Sequence, residues 1–516
     1  MNDNKISKNS IVAKFAVPIS FLILFFLAAN FTDCDLVTFW KRRSHLTDLV
    51  GDMIPPDFSY IQKILLPLFY TIQMSVTGTV LGIFFALVLS PFGAANLGFP
   101  AVIRRILRIV IQILRSFPAL ILALTATFLF GLGTFAGTFA ITLYTFAIMT
   151  KLTYEDASAA DVKAYQALRA MGVSKYVAYI HGILPEIIPG FLTNALYLLE
   201  TNVRHSSILG YVGAGGIGLL LNEKISWLEY DKVGTILLML FLTVCVIEYF
   251  SRYLAALIRK ERTIKKEQAR LLLLFLAALF LICTFTLSLP DFSRTSPQTL
   301  RNMFAGFLQP DWSFFFSAEK DGLGYLLLET VCIAFIGTVI GAIVSAPLAF
   351  LNTKRFVPAP VSFLFNLVIM VIRSVPFLVY GLIFIRVSGP GAFTGVLTLA
   401  VCSIGLLTKR FTEALDALDP RPYHALLAMG VRPLPAICHS VLPQLKPVFT
   451  SIILYRFDVN IREASVLGLV GAGGIGAPLI FSMNQYAWEK AGAIMLGLIL
   501  LVWFIDMVSE KIGAGN

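Results

Sequence analysis

Charge is scarce in this chain. Only 14% of its 516 residues are Asp, Glu, Lys or Arg, against roughly 25% in a soluble globular protein. Its five histidines form no HExxH, and its six cysteines (34, 245, 283, 332, 402 and 438) form no CxxC, so metal-site and disulfide-framework readings have little footing. No GxxxxGK[ST] occurs, which excludes ATP hydrolysis on a P-loop of the chain's own. No convergent set of His, Cys or Asp supports an enzyme embedded in the membrane. What is abundant instead is apolar: 57% of the residues are hydrophobic and the mean hydropathy is +0.81.

A membrane crossing needs about 20 apolar residues. Such runs fall near 15-31, 69-90, 107-129, 133-150, 187-210 and 233-257, then near 271-289, 325-350, 361-386, 392-408, 447-468 and 490-508. The pattern predicts an all-α polytopic membrane protein with about twelve transmembrane helices. The net charge of +11 is unevenly placed, and its placement argues against a nucleic-acid partner. Segment 252-270 carries seven Lys or Arg against two Glu, whereas 31-67 carries four basic against five acidic residues and 290-324 three against four. That bias places 252-270 and both termini in the cytoplasm. The basic linker would then rest on anionic headgroups. Lys5, Lys8 and Lys14 before the first apolar run look like a signal peptide, but no small-residue cleavage site follows, so the run reads as a retained first span.

The chain also repeats itself. Val212-Gly213-Ala214-Gly215-Gly216-Ile217-Gly218 returns 258 positions later as Val470-Gly471-Ala472-Gly473-Gly474-Ile475-Gly476. At the same offset Arg115-Ser116-Phe117-Pro118 returns as Arg373-Ser374-Val375-Pro376, and Ala170-Met171-Gly172-Val173 as Ala428-Met429-Gly430-Val431. Two copies of one unit therefore stand head to tail: a first repeat over 1-258, a basic linker over 259-270 and a second repeat over 271-516. Six spans per copy give both the same orientation, a parallel repeat of the kind that transporters use.

Between the fourth and fifth spans of each copy lies the longest cytoplasmic segment, 151-186 and 409-446. In the first, Asp161 can cap a helix running to Met171, Gly172 supplies a left-handed C′ residue and Ser174 caps a second helix. In the second, Asp419-Pro420 opens a helix that Gly430 ends, and Pro433 starts another. Both segments then re-enter the membrane at Leu184-Pro185 and Leu442-Pro443.

Each glycine run formally matches GxGxxG, but an apolar span precedes it rather than a strand, so a dinucleotide fold does not fit. Glycines at this density break or bend a span and leave N–H groups free for an anion, although close packing of helices through small residues explains them equally well. Before each run stand Glu200, Asn202 and Arg204, repeated as Asp458, Asn460 and Arg462. The acid and the Arg are one helical turn apart and can pair. Arg115 and Arg373 add one cation per copy inside the third span. Intramembrane charges usually face a protein interior or a watery cavity. The expected pathway set is therefore Arg115, Asn202, Arg204, Gly213, Gly215 and Gly216 with Arg373, Asn460, Arg462, Gly471, Gly473 and Gly474. Four arginines on a pseudo-two-fold would relay an anion and bar a cation.

The cytoplasmic helix–Gly–helix ending in Leu-Pro resembles the "EAA" loop of ABC importer permeases. The first copy offers Gln166, Ala167 and Gly172, and the second His424, Ala425 and Gly430. Gln166 and His424 stand where that family has Glu, and Leu168 and Leu426 where it has a second Ala, so the family's salt-bridge details do not transfer. The string Asn460-Ile461-Arg462 through Leu467-Gly468-Leu469-Val470 to Gly476, echoed from Asn202 to Gly218, resembles the permease of phosphonate ABC importers. Methionine-importer permeases carry a looser relative.

The resemblance implies a type I ABC importer permease fold with two copies fused, in a bacterial cytoplasmic membrane. It implies two ATPase subunits that bind ATP and Mg and dock on the two loops, and a periplasmic or extracellular binding protein that delivers a small phosphorus oxyanion such as phosphonate, phosphite or phosphate. The chain itself needs no cofactor or metal. The competing readings are a type I permease for another solute, such as methionine, and a transporter that needs no ATPase.

Overall fold

The computed structural model describes residues 19–514 except 260–265, 289, 291–296, 318, 320 and 321. Lys5, Lys8, Lys14, the start of the first apolar run and the middle of the basic linker lie outside the described residues. Every element among the described residues is helical. The first half runs through α1 (Ile19–Phe31), α2 (Leu36–Lys41), α3 (Arg43–Asp52), α4 (Ile61–Gly93), α5 (Ala101–Ser116), α6 (Ala119–Phe130) and α7 (Thr134–Ala159). It continues through α8 (Lys163–Ala170), α9 (Lys175–Gly182), α10 (Leu184–Leu209), α11 (Ile217–Ser226) and α12 (Tyr230–Ile258). The second half repeats this order as α13 (Lys266–Phe285), α14 (Pro297–Leu308), α15 (Trp312–Phe315), α16 (Leu323–Asn352), α17 (Ala359–Ser374), α18 (Phe377–Ser388) and α19 (Ala392–Ala417). It closes with α20 (Arg421–Ala428), α21 (Pro433–Ala436), α22 (Leu442–Leu467), α23 (Gly476–Asn484) and α24 (Trp488–Ala514).

Where described, all twelve apolar runs are largely helical, but they are not alike. Among the described residues seven helices are long and apolar enough to cross a membrane alone, and up to ten spans result if each of three bent pairs counts as one. The apolar parts of α1 and α13, Ile19–Phe31 and Leu274–Phe285, are shorter. The spans expected at 107-129 and 361-386 are sharply bent: α5 meets α6 at 95° and α17 meets α18 at 87°. Proline is the cause. Pro118 and Pro376 push the residue before them out of the helical region, to ψ 129° at Phe117 and 124° at Val375. The Arg-Ser-x-Pro motif is thus a bend.

The fifth apolar runs also diverge. α9 and α10 bend by 70° at their break, whereas residues 433–470 form one long span with a π-helical turn at Ile437–Val441. The residues at this break also differ in size. A Cβ on Gly182 would lie 2.8 Å from Tyr165 N, so only glycine lets α9 close on α8. Its counterpart, Ser440, carries a side chain whose hydroxyl donates to Ala436 O at 2.7 Å.

In each half one pair of helices forms the spine, α4 with α7 and α16 with α19. Small residues let the backbones approach. A Cβ on Gly78 would sit 2.8 Å from Ile141 Cβ and one on Gly82 2.6 Å from Thr145 Cβ; the second spine repeats this with Gly337 at Leu399 (2.7 Å) and Gly341 at Ser403 (2.4 Å).

Packing divides the chain differently from the repeat. One compact unit spans Leu49–Phe304, and the other joins 305–516 to the described residues up to Asp48. In the second unit Phe21 meets Phe335 at 5.5 Å and Phe31 meets Tyr325 at 4.9 Å. In the first unit the buried Gln73 donates to Cys283 O at 3.1 Å and to Thr286 Oγ1 at 2.8 Å. The leading helix of each repeat thus packs in the unit built on the other repeat's body, so the packed units do not follow the sequence boundaries 1-258 and 271-516.

Gly82→Leu should lower the detergent-solubilised protein's unfolding stability by 1–3 kcal/mol or more, the usual cost of overpacking. Gly324→Ala, with nothing within 4 Å of the added Cβ, should leave it unchanged. Equal thermal midpoints for the two variants would contradict close spine packing.

Candidate coupling and pathway site

The two hairpins between the fourth and fifth apolar runs form as the sequence suggests. Asp161 Oδ1 accepts the Lys163 N–H at 3.0 Å and Asp419 Oδ1 accepts the Arg421 N–H at 3.0 Å. Both carboxyls are held below the usual carboxylate range, Asp161 first by that backbone N–H and Asp419 first by the Arg421 side chain. Ser174 Oγ accepts the Val177 N–H at 3.5 Å. Gly172 (φ +85°) and Gly430 (φ +81°) are left-handed, and Val173 and Val431 donate back to Leu168 O and Leu426 O at 3.2 and 3.1 Å. This closes a Schellman motif in each copy. Gln166, Ala167, Gly172, His424, Ala425 and Gly430 are all exposed. At the tips Met171 and Met429 are 77% and 78% exposed, so each hairpin offers the same large apolar knob.

Within each half the helix after the hairpin carries the polar cluster. Asn202 on α10 is fully buried, and its Nδ2 donates to Thr79 Oγ1 at 2.7 Å on α4 and to Thr145 Oγ1 at 2.8 Å on α7. Asn460 repeats this with Thr338 at 2.6 Å and Ser403 at 2.9 Å. One amide thus fastens three helices in each copy. Neither asparagine presents any surface, so their expected place along a pathway becomes a place inside the helix bundle. The turn-spaced pairs form: Arg204 with Glu200, and Arg462 with Asp458, each side chain at most 16% exposed.

The glycine runs break their helices through three left-handed residues apiece: Gly213, Gly215 and Gly216 at φ +83°, +78° and +77°, and Gly471, Gly473 and Gly474 at +77°, +77° and +76°. Only glycine adopts this readily. The expectation of free N–H groups is corrected for several positions. Gly213 and Ala214 donate to Gly210 O and Leu209 O, and Gly471 and Ala472 to Gly468 O and Leu467 O. Ile217 N–H goes to Thr71 Oγ1 at 2.8 Å and Ile475 N–H to Thr330 Oγ1 at 3.1 Å. Gly474 N–H goes to the Glu329 carboxylate at 3.0 Å. The run's carbonyls are used too: Gly213 O accepts from Gly133 N–H at 3.0 Å and Gly471 O from Gly391 N–H at 2.9 Å. Each run is a bonded turn that seats the next helix.

Arg115 and Arg373 are half-buried in the last turn before the elbows. Arg373 lays its stem against α19, where a Cβ on Gly405 would meet its Cγ at 2.9 Å. Both arginines thus stand at the elbows. One buried ion pair escaped the sequence reading: Arg456 meets Glu463 at 2.8 Å and donates through Nε to Ser403 Oγ at 3.1 Å. The two residues are two helical turns apart on α22, a spacing that could have revealed them. Their counterparts, Leu198 and His205, hid them from an argument built on repetition.

The family described as "Binding-protein-dependent transport system inner membrane component" matches residues 78–262 and again 337–512. The chain belongs to this family and contains its transmembrane domain twice. It is 27% identical over 473 residues to the phosphate-import permease protein PhnE of Mycolicibacterium smegmatis, covering 90% of this chain and 88% of that one. It is 36% identical over 184 residues to the phosphite transport system permease protein PtxC of Stutzerimonas stutzeri, covering 36% of this chain and 67% of that one. A solved structure of the MetNI methionine ABC transporter aligns over 39% of this chain and 99% of its own at 22% identity, with a TM-score of 0.36. The protein is thus a multi-pass membrane permease of a type I ABC importer, a class that works with an ATPase and a binding protein.

Asn202→Leu and Asn460→Leu should each cost about 1 kcal/mol of stability, from two membrane hydrogen bonds of ~0.6 kcal/mol apiece. Matching losses are expected because the geometry is duplicated. Unfolding titrations in mixed micelles that show no loss for either variant would remove the fastening role.

Proposed function

We propose that this chain forms the membrane path of an ATP-driven importer for a small phosphorus oxyanion (phosphonate, phosphite or phosphate) in a bacterial cytoplasmic membrane, with both termini cytoplasmic. The observation that carries the reading is the alignment with the phosphate-import relative, which runs through both repeats and 90% of the chain; the phosphite-transport relative supports the same class of cargo. The physical setting agrees. Each repeat holds an arginine against an acid one turn away, just ahead of a glycine turn, and the second repeat adds Arg456. Paired cations at bundle depth present directed N–H donors while their charge stays compensated, which suits an oxyanion and opposes a cation.

Two ATPase subunits binding ATP and Mg would each seat one hairpin, with Met171 or Met429 as the apolar tip, and a binding protein would deliver the anion from outside. The permease supplies no bond chemistry. It supplies two packings whose balance nucleotide shifts. The left-handed glycines matter because they aim the tips. A Cβ on Gly172 or Gly430 meets nothing within 4 Å, so a substitution there is penalised by backbone strain of about 1–2 kcal/mol and not by crowding.

In vesicles holding the chain with its ATPase and binding protein, Arg204→Ala with Arg462→Ala should cut anion uptake tenfold or more while the complex still assembles. Wild-type uptake by that double variant would remove these arginines from the path. Gly172→Leu with Gly430→Leu should leave basal ATP hydrolysis intact and abolish its stimulation by loaded binding protein. Stimulation that persists at the wild-type level would refute coupling through the hairpins, and uptake without any ATPase would favour an uncoupled transporter.

A further inference from the structure

The two repeats differ at one corner, where α5 leaves the loop that follows α4. α5 carries Arg104, Arg105 and Arg108; the corresponding positions of α17 are Ser362, Phe363 and Asn366. α5 contains no acid. Arg108 donates through Nε to Gly93 O at 3.0 Å and lies over the Tyr154 ring at 5.1 Å. Arg104 reaches Ala95 O at 3.5 Å. Lys175, at the start of α9, donates to Gly98 O and stands 5.9 Å from the Phe99 ring. Arg104, Arg108 and Lys175 thus gather around one loop that meets them with backbone carbonyls and aromatic faces, and Arg105 stands exposed on the same helix. Among the described residues none of the four has a carboxylate within ion-pair distance. The positive charge of this corner is uncompensated by the protein.

The same helix shows an apolar side to its surroundings. Val102, Ile106 and Ile109 are 68%, 57% and 51% exposed, beginning beside the arginines and continuing toward the 95° elbow. The second repeat answers the corner differently: Arg355 is used up on Leu415 O, Leu418 O and Asp416 O, and Asp416 lies within reach of Thr353.

We propose that the α5 corner is a binding surface for an anionic phospholipid, with Arg104, Arg105, Arg108 and Lys175 around the phosphate and the apolar side of α5 along an acyl chain. A cluster of cations beside an exposed apolar stripe matches a ligand that is charged at one end and oily along its length. A free phosphate would satisfy the cations and leave the stripe unexplained, and long basic side chains reach a headgroup plane while their stems stay in the apolar layer. The Lys175 contact ties the surface to the α8–α9 hairpin, so lipid held here would brace the first hairpin and not the second. The inference rests on membrane embedding alone and is independent of the cargo and of the ATPase.

The test uses the full chain in nanodiscs of phosphatidylcholine with phosphatidylglycerol. Phosphatidylglycerol co-purifying after detergent extraction is counted by native mass spectrometry. The wild type should retain it selectively. Arg105→Gln alters an exposed side chain and should weaken retention about fivefold, and the Arg104, Arg105 and Arg108 to Gln triple variant roughly a hundredfold, at about 1 kcal/mol per arginine near the surface. Thermal midpoints in phosphatidylcholine alone establish that the variants are folded, and the single variant serves if the triple one is not. Retention unchanged in Arg105→Gln would overturn the proposal. So would loss of phosphatidylglycerol on adding excess inorganic phosphate, which would assign the corner to a free anion.

Discussion

A bilayer interior gives a polar group no water to turn to, so each must be satisfied within the protein. The donor side of the fully buried Asn202 and Asn460 amides meets that constraint: each Nδ2 joins three helices through two hydroxyls, and the second repeat reproduces the arrangement within about 0.1 Å, while each Oδ1 has no hydrogen-bond partner among the described residues. The rest of each half is arranged around it. Gly82 and Gly341 bring the spine helices close enough for Thr145 and Ser403 to reach the amide, and the acid–arginine pairs sit within half a turn on the same helix. The glycine turns obey the same rule, since a helix broken at that depth must rebond its groups, and Thr71 and Thr330 do so.

Much of this was legible in the sequence. The constant offset of 258 announced two copies, the apolar runs located the helices, and the caps and left-handed glycines of the hairpins stood where Asp161, Gly172, Asp419 and Gly430 placed them. These features are local or periodic, and local chemistry determines them. Features that depend on distant residues were not visible. That Asn202 would find Thr79 and Thr145 follows from which spans lie side by side, as does the settling of each leading helix in the other repeat's unit. Pro118 and Pro376 were in plain sight, and each marks a sharp elbow inside an apolar run read as one span.

Duplication also conceals divergence. Comparison of equivalent positions highlights what both copies keep and passes over what one copy alone has. Arg456 with Glu463 replaces Leu198 with His205; Glu329 holds the Gly474 N–H in the second repeat alone; Ser440 replaces Gly182; and the α5 arginines have no equivalents on α17. In a fused chain each position can change in one half without changing in the other. The shared features are two fasteners, two glycine turns and two apolar-tipped hairpins. The unshared ones give each half its own anchoring and its own electrostatics.

The account depends most on the two hairpins emerging on the same side of the membrane, as a parallel repeat with an even number of crossings demands. Single cysteines at Gln166 and His424, in a background without the native cysteines, can be labelled in intact cells by a membrane-impermeant maleimide before and after permeabilisation. Both should be protected in intact cells and both should react once the membrane is opened. Reaction of one and not the other in intact cells would contradict the parallel repeat.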